Sequence, residues 1–236
     1  MNLAESRLGR LIRPALIDRV ERNHQQSDAA FHRRRIVVAI VVVLGATLLG
    51  VSLAVEPADP LFYPLTLGLA ALWVAGGFAS GPLHLGWEVS RQRSRRPFLL
   101  PVLLGLAAGG VFVVGALLVR DIDPVHRLVN SVLAHAKFGS TTVVLLITLL
   151  NGVAEEVFFR GALFAAIGRK RPVLISTIVY TVATLATGNF MLVFAALALG
   201  LVLGLERRAT GGILAPMLTH VTWSIVMFFA LPPLFA

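Results

Sequence analysis

Glu155, Glu156, Arg160 and His220 are the ionisable residues that lie away from the edges of the long apolar runs in this 236-residue chain. A charge at the centre of a bilayer costs about 2.5–3.5 kcal/mol on insertion scales, so such groups should face a bundle interior or a wet cavity, and one another. Helical geometry divides their labour. Glu156 and Arg160 are four residues apart, on nearly the same face, where they can form an ion pair. Glu155 points about 100° away from Glu156, which leaves it to meet a neighbouring helix. His220 comes from a different apolar run. A carboxylate and an imidazole converging in a wet cavity could act as a general base on water, or hold a metal with room for that water. Tyr180, Thr184, Thr219, Thr222 and Ser224 add hydroxyls on the two later runs.

The elements that must carry these groups are membrane helices. The chain is 57% hydrophobic and only 14% charged, with a mean hydropathy of +0.83. A water-soluble domain needs about a quarter of its residues charged. Seven apolar runs, at 36–55, 61–80, 98–119, 140–164, 173–187, 190–205 and 212–231, are read as spans of roughly 30 Å of hydrocarbon. The expected fold class is therefore all-α, a polytopic integral membrane bundle of about seven helices. The runs at 173–187 and 190–205 are short and joined by Gly188-Asn189, so tilted or partly re-entrant segments are the alternative there.

The formal net charge of +9 would point to nucleic acid in a soluble protein. Here the basic residues cluster between the runs: Arg91, Arg93, Arg95 and Arg96, then Arg169, Lys170 and Arg171, then Arg207 and Arg208. With simple alternation these fall on the side of the arginine-rich N-terminal tail, and the positive-inside rule makes that side cytoplasmic. Membrane lipids are expected partners and nucleic acid is not. The expected location is the cell membrane, with the N-terminus inside and the C-terminus outside. Segment 120–139, on the outer side, reads as a short amphipathic helix. There is no cysteine, which excludes disulfides, thiolate nucleophiles and cysteine-ligated metals.

The polar stretch ahead of the first run argues against a cleavable signal peptide. Leu8, Leu11, Ile12, Ala15, Leu16 and Val20 recur there at helical spacing among arginines. A basic amphipathic helix on an anionic membrane surface and a disordered basic tail both fit. Depth supports convergence of the polar groups. At 1.5 Å per residue, Glu155 lies roughly 20 Å from Arg169, Thr184 about 18 Å from Pro172 and His220 about 12 Å from Gly212.

At these residues the chain resembles a known family. Glu155-Glu156-Val-Phe-Phe-Arg160-Gly161 matches the E-E-x-x-x-R motif of the CPBP family, which comprises CAAX prenyl endopeptidases and bacteriocin-processing intramembrane proteases, also called Abi. The resemblance runs from about residue 140 to the C-terminus. The family's second motif, F-x-x-x-H after two small hydroxyl residues, fits Ser176-Thr177 and Tyr180 to Thr184, with tyrosine for phenylalanine and Thr184 where the histidine belongs. The third, H-x-x-x-N or a similar polar residue, fits His220 to Ser224.

The resemblance implies that Glu155 activates the hydrolytic water. His220 and Ser224 would take the oxyanion side, and Glu156 and Arg160 a supporting role. A divalent metal such as zinc would rest on His220 and Glu155, a poor ligand set for it. A threonine cannot replace an imidazole as a base or a strong metal ligand.

These readings divide the chain into a basic cytoplasmic tail (1–35), N-terminal membrane helices with the outer loop (36–139) and a protease-like core (140–236). Three functions compete: an intramembrane endopeptidase cutting a peptide or membrane-protein substrate near the cytoplasmic side, a protease-like scaffold or binding protein that has lost catalysis, and a proton-coupled transporter using a carboxylate–histidine relay. The blander reading of Glu155, Glu156 and Arg160 is an ion-pair network that fixes helix packing. The blander reading of His220 is a polar residue hydrogen-bonded across helices.

Overall fold

The computed structural model describes residues 13–20, 25–90, 93–137 and 140–236. Its helices follow the apolar runs closely: α1 (Asp28–Ala54), α2 (Phe62–Ser80), α3 (Leu99–Val119), α4 (Asp123–Lys137), α5 (Thr141–Ile167), α6 (Pro172–Leu185), α7 (Phe190–Thr210) and α8 (Leu214–Leu234). Among the described residues, six of these are long and apolar enough to cross a membrane. The chain is a multi-pass integral membrane protein, an all-α bundle. The run read at 173–187 is the exception. As α6 it has 14 residues, about 21 Å of rise, against roughly 30 Å of hydrocarbon. Pro172 fixes its start, where a proline costs no helical hydrogen bond, and the Thr187–Asn189 turn ends it.

Two helices extend beyond their apolar runs. α1 starts at Asp28, capped by the Ser27 hydroxyl, which accepts from the Ala30 N–H. It thereby takes in Arg33, Arg34 and Arg35, which the sequence reading left in the tail. α7 continues to Thr210, past the expected end at residue 205. Glu206 and Arg207 thus lie on the buried face of a helix rather than in a loop.

One face of the bundle carries the basic segments, knitted together by backbone contacts. Val20 N–H donates to Ala209 O, and the Arg208 guanidinium reaches Leu16 O. Arg34 reaches Pro82 O, and Arg35 reaches Ala166 O. The α2–α3 connection holds a two-stranded antiparallel hairpin, β1 (Glu88–Ser90) and β2 (Arg93–Arg95), an element with no counterpart in the sequence reading. Its base lies along the α7–α8 connection. Trp87 N–H bonds Thr210 O at 2.9 Å, and Ile213 N–H bonds His84 O at 2.9 Å. Gly86, at φ 84°, and Gly212 face each other there so closely that a side chain on either would overlap the other's backbone.

The opposite face carries α4, the amphipathic helix expected from segment 120–139. Val129 and Leu133 are buried against Phe235. His135 is in contact with Val55 O at 3.0 Å, and Asn189 Nδ2 donates to Leu128 O at 2.6 Å. The tail on the basic face is helical at residues 13–16, and Ala15 is buried. The rest of the expected surface helix lies largely outside the described residues.

Candidate active site

The site sits where α5 changes its winding. From Glu156 to Leu163 the helix is π-helical, and all eight residues are buried. The sequence reading treated this stretch as regular α-helix. A run containing Val157, Phe158, Phe159, Glu156 and Arg160 has no lipid-facing side, because α2, α6, α7 and α8 pack around it. Segments of this kind are rare and are often found at functional sites. Trp73 of α2 fixes one flank, with its ring 4.6 Å from Phe158 and 5.0 Å from Phe159.

The expected ion pair is present. Arg160 Nη1 donates to Glu156 Oε1 at 2.8 Å, with both side chains essentially inaccessible. Arg160 Nη2 reaches Gly200 O at 3.3 Å, and its own carbonyl accepts from Arg207 Nε at 2.6 Å. Each of these groups leaves water, so each needs a partner to offset the lost hydration.

His220 meets a different carboxylate from the one expected. Its Nδ1 lies 2.9 Å from Oε1 of Glu156, not from Glu155. Glu156 is fully buried and its Oε1 already takes Arg160, so the imidazole completes a three-member network there. Nδ1 must then be the protonated nitrogen facing the carboxylate. The other edge of the ring faces α5 at Gly152, where a methyl group would sit 3.7 Å from Nε2. Ser224 is buried one turn further along α8, on the face of His220.

Glu155 is the less buried of the two glutamates. Its Oε2 accepts a 2.5 Å hydrogen bond from the Tyr180 hydroxyl. Thr184 does not reach across. Its hydroxyl turns back on its own helix and donates to Tyr180 O at 2.9 Å.

A catalytic zinc takes three protein ligands and a water. Among the described residues no three His, Cys, Asp or Glu side chains are arranged so that they could hold a metal ion. His220 Nδ1 addresses Glu156, while Glu155 addresses Tyr180. The donor set does not fit a zinc site.

Glu206 is the buried acid that sequence reasoning passed over. It is completely inaccessible, and its Oε1 lies 2.8 Å from the Thr219 hydroxyl, which also lies 2.9 Å from Pro101 O. This contact, one residue before His220 in the chain, ties α7, α8 and α3 together. The signal was present. Ala196, Leu199, Gly200 and Leu203 form a helical stripe that reaches residues 206 and 207 when extended by one turn and 210 when extended by two.

Residues 137–226 match the family model described as type II CAAX prenyl endopeptidase Rce1-like. This segment carries the whole arrangement above from α5 to α8. Through it, the C-terminal part of the chain is similar to the CPBP/CAAX proteases, a family of membrane-embedded endopeptidases. Comparison with curated proteins and with solved structures gave no match.

Proposed function

We propose that this protein is an intramembrane endopeptidase that hydrolyses a peptide bond of a membrane-associated substrate on the cytoplasmic half of the bilayer, with Glu155 as the base. The observation that carries this reading is the division between the two adjacent acids. Glu156 is fully buried, with Oε1 held by Arg160 and His220, whereas Glu155 is partly exposed and is hydrogen-bonded through Oε2 alone. A general base needs a carboxylate oxygen open to water, within one hydrogen bond of the proton it removes.

In this scheme the water oxygen bonds to the scissile carbonyl carbon as its proton passes to Glu155 Oε1. The C–N bond then breaks, and the departing nitrogen takes that proton from Glu155. Ser224, one turn from His220 on α8, would donate to the carbonyl oxygen as it gains charge, while His220, its Nδ1 proton committed to Glu156, lines the same side. Glu156 and Arg160 hold the π-helical segment in register. The family description suggests the C-terminal segment of a lipid-modified protein as substrate. The test is a comparison of membrane-derived peptides from cells carrying wild-type or Glu155→Gln protein. Products that vanish with the variant support the proposal.

A second reading is a protease-like scaffold without catalysis. It is favoured by the engagement of His220 with Glu156 and by the turn of Thr184 toward its own helix, which leave Glu155 without an imidazole. Under this reading the cellular phenotype would survive Glu155→Gln but not loss of the Glu156–Arg160 pair.

A further inference from the structure

We infer that Tyr180 is the positioning residue of Glu155, its phenol supplying the fixed hydrogen bond that orients the carboxylate toward the attacking water. This rests on the endopeptidase reading and gives a particular function to a residue where the family's motif has phenylalanine.

The polar groups around Glu155 have other commitments. Arg160 spends Nη1 on Glu156 and Nη2 on Gly200 O. His220 Nδ1 is on Glu156, and Thr184 donates to Tyr180 O. The Tyr180 hydroxyl is the group that donates to Glu155, and it lies 2.5 Å from Oε2. Hydrogen bonds to an ionised acceptor are short and about twice as strong as neutral ones.

The phenol is itself held in place. The Phe159 ring lies 4.6 Å from the Tyr180 ring, and the Arg160 guanidinium carbon lies 4.7 Å over it. On the far side Gly200 leaves room, since a methyl group there would sit 3.3 Å from Tyr180 Cδ1. A ring gripped by the residue that also holds Glu156 transmits the geometry of the ion pair to Glu155. With Oε2 tied, the rotation of the carboxylate is restrained and Oε1 is left for the water in the proposed reaction. A neutral phenol has one proton to give and is not itself a base. It therefore orients the acid without duplicating its role.

The test measures turnover of a peptide identified as cleaved by the wild-type protein, in reconstituted vesicles, for wild-type, Glu155→Gln and Tyr180→Phe proteins. Phenylalanine keeps the ring packing and removes only the hydroxyl. The expected result is no turnover for Glu155→Gln and, for Tyr180→Phe, a fall in kcat of about ten- to a hundredfold, the scale of one hydrogen bond to a charged group, with KM unchanged. Wild-type turnover by Tyr180→Phe beside an inactive Glu155→Gln overturns the inference and leaves the endopeptidase reading standing. Turnover by Glu155→Gln, or no cleavage by the wild type, overturns both.

A second measurement needs no substrate. The chain has two tyrosines, so Tyr63→Phe protein with isotope-labelled tyrosine reports on Tyr180 alone. Its phenol C–O stretch should shift when Glu155→Gln is added. An unmoved band contradicts the pairing.

Discussion

His220 Nδ1 lies 2.9 Å from Oε1 of Glu156, the oxygen that Arg160 Nη1 reaches at 2.8 Å. One buried oxygen thus receives a guanidinium and an imidazole from two different helices, α5 and α8. The adjacent acid, Glu155, is left to a tyrosine on α6. The arrangement separates an internal strut from a group that can react, and each expectation below follows from that separation.

Removing the strut should unfold the bundle before it changes chemistry. Breaking a buried pair by taking away one partner costs about 3–5 kcal/mol, because the other charge is left uncompensated. Glu156→Gln strands Arg160, both of whose side chains are essentially inaccessible. The expected result is a clear loss of thermal stability in detergent, while Glu155→Gln stays near wild type. Equal stability for the two variants would contradict the division.

Thr219 is expected to matter for holding α3, α7 and α8 together. Its hydroxyl lies between Pro101 O and Glu206 Oε1. The hydroxyl has one proton to give, so Thr219→Val takes the donor from one of these two buried oxygens, at a cost of about 1–3 kcal/mol. Hydrogen exchange should rise at the Pro101 end of α3 and at the start of α8, and leave α1 and α2 unchanged.

Asn189 has a comparable function on the face opposite the basic segments. It caps α7 by accepting from Met191 N–H and Leu192 N–H, and it donates to Leu128 O on α4. Asn189→Ala should cost about 0.5–2 kcal/mol for the cap, with the first turn of α7 and the middle of α4 exchanging faster together. Faster exchange in α7 alone would show that the α4 contact contributes nothing.

A pH effect is expected at the basic face. Partial burial, then the Arg207 and Arg34 guanidiniums, hold the His84 imidazole below its ordinary value. A base whose folded pKa is depressed takes its proton more readily when unfolded, so its contribution is present above about 6.5 and is lost as pH falls below that value. Melting temperature measured from pH 7.5 down to 5 should drop slightly more for wild type than for His84→Gln. Parallel curves would contradict this.

Most of the fold was legible because the bilayer imposes a simple code. Runs near twenty apolar residues, arginine clusters on alternate connections and an amphipathic stretch at 120–139 correspond to helices α1 to α8. What escaped the sequence depends on packing between distant segments. The π-helical winding at Glu156–Leu163 comes from neighbours on every side of that stretch. The burial of Glu206 and Arg207 required knowing that α7 continues past its apolar run. The partner of His220 was misjudged for a related reason. Helical angles place Glu155 and Glu156 about 100° apart, but which of the two faces α8 depends on how α5 is rotated in the bundle, which residue spacing does not encode. The hydrogen bond from Tyr180 was reachable only as one hydroxyl among several on the later helices.

The most direct measurement is the set of membrane-derived peptides released in cells by wild-type and Glu155→Gln protein at matched expression. The account predicts a discrete set of cleavage products with wild type, absent with Glu155→Gln, although the variant keeps wild-type thermal stability. Identical peptide sets from the two proteins would contradict Glu155 as the base and leave the site as a structural core.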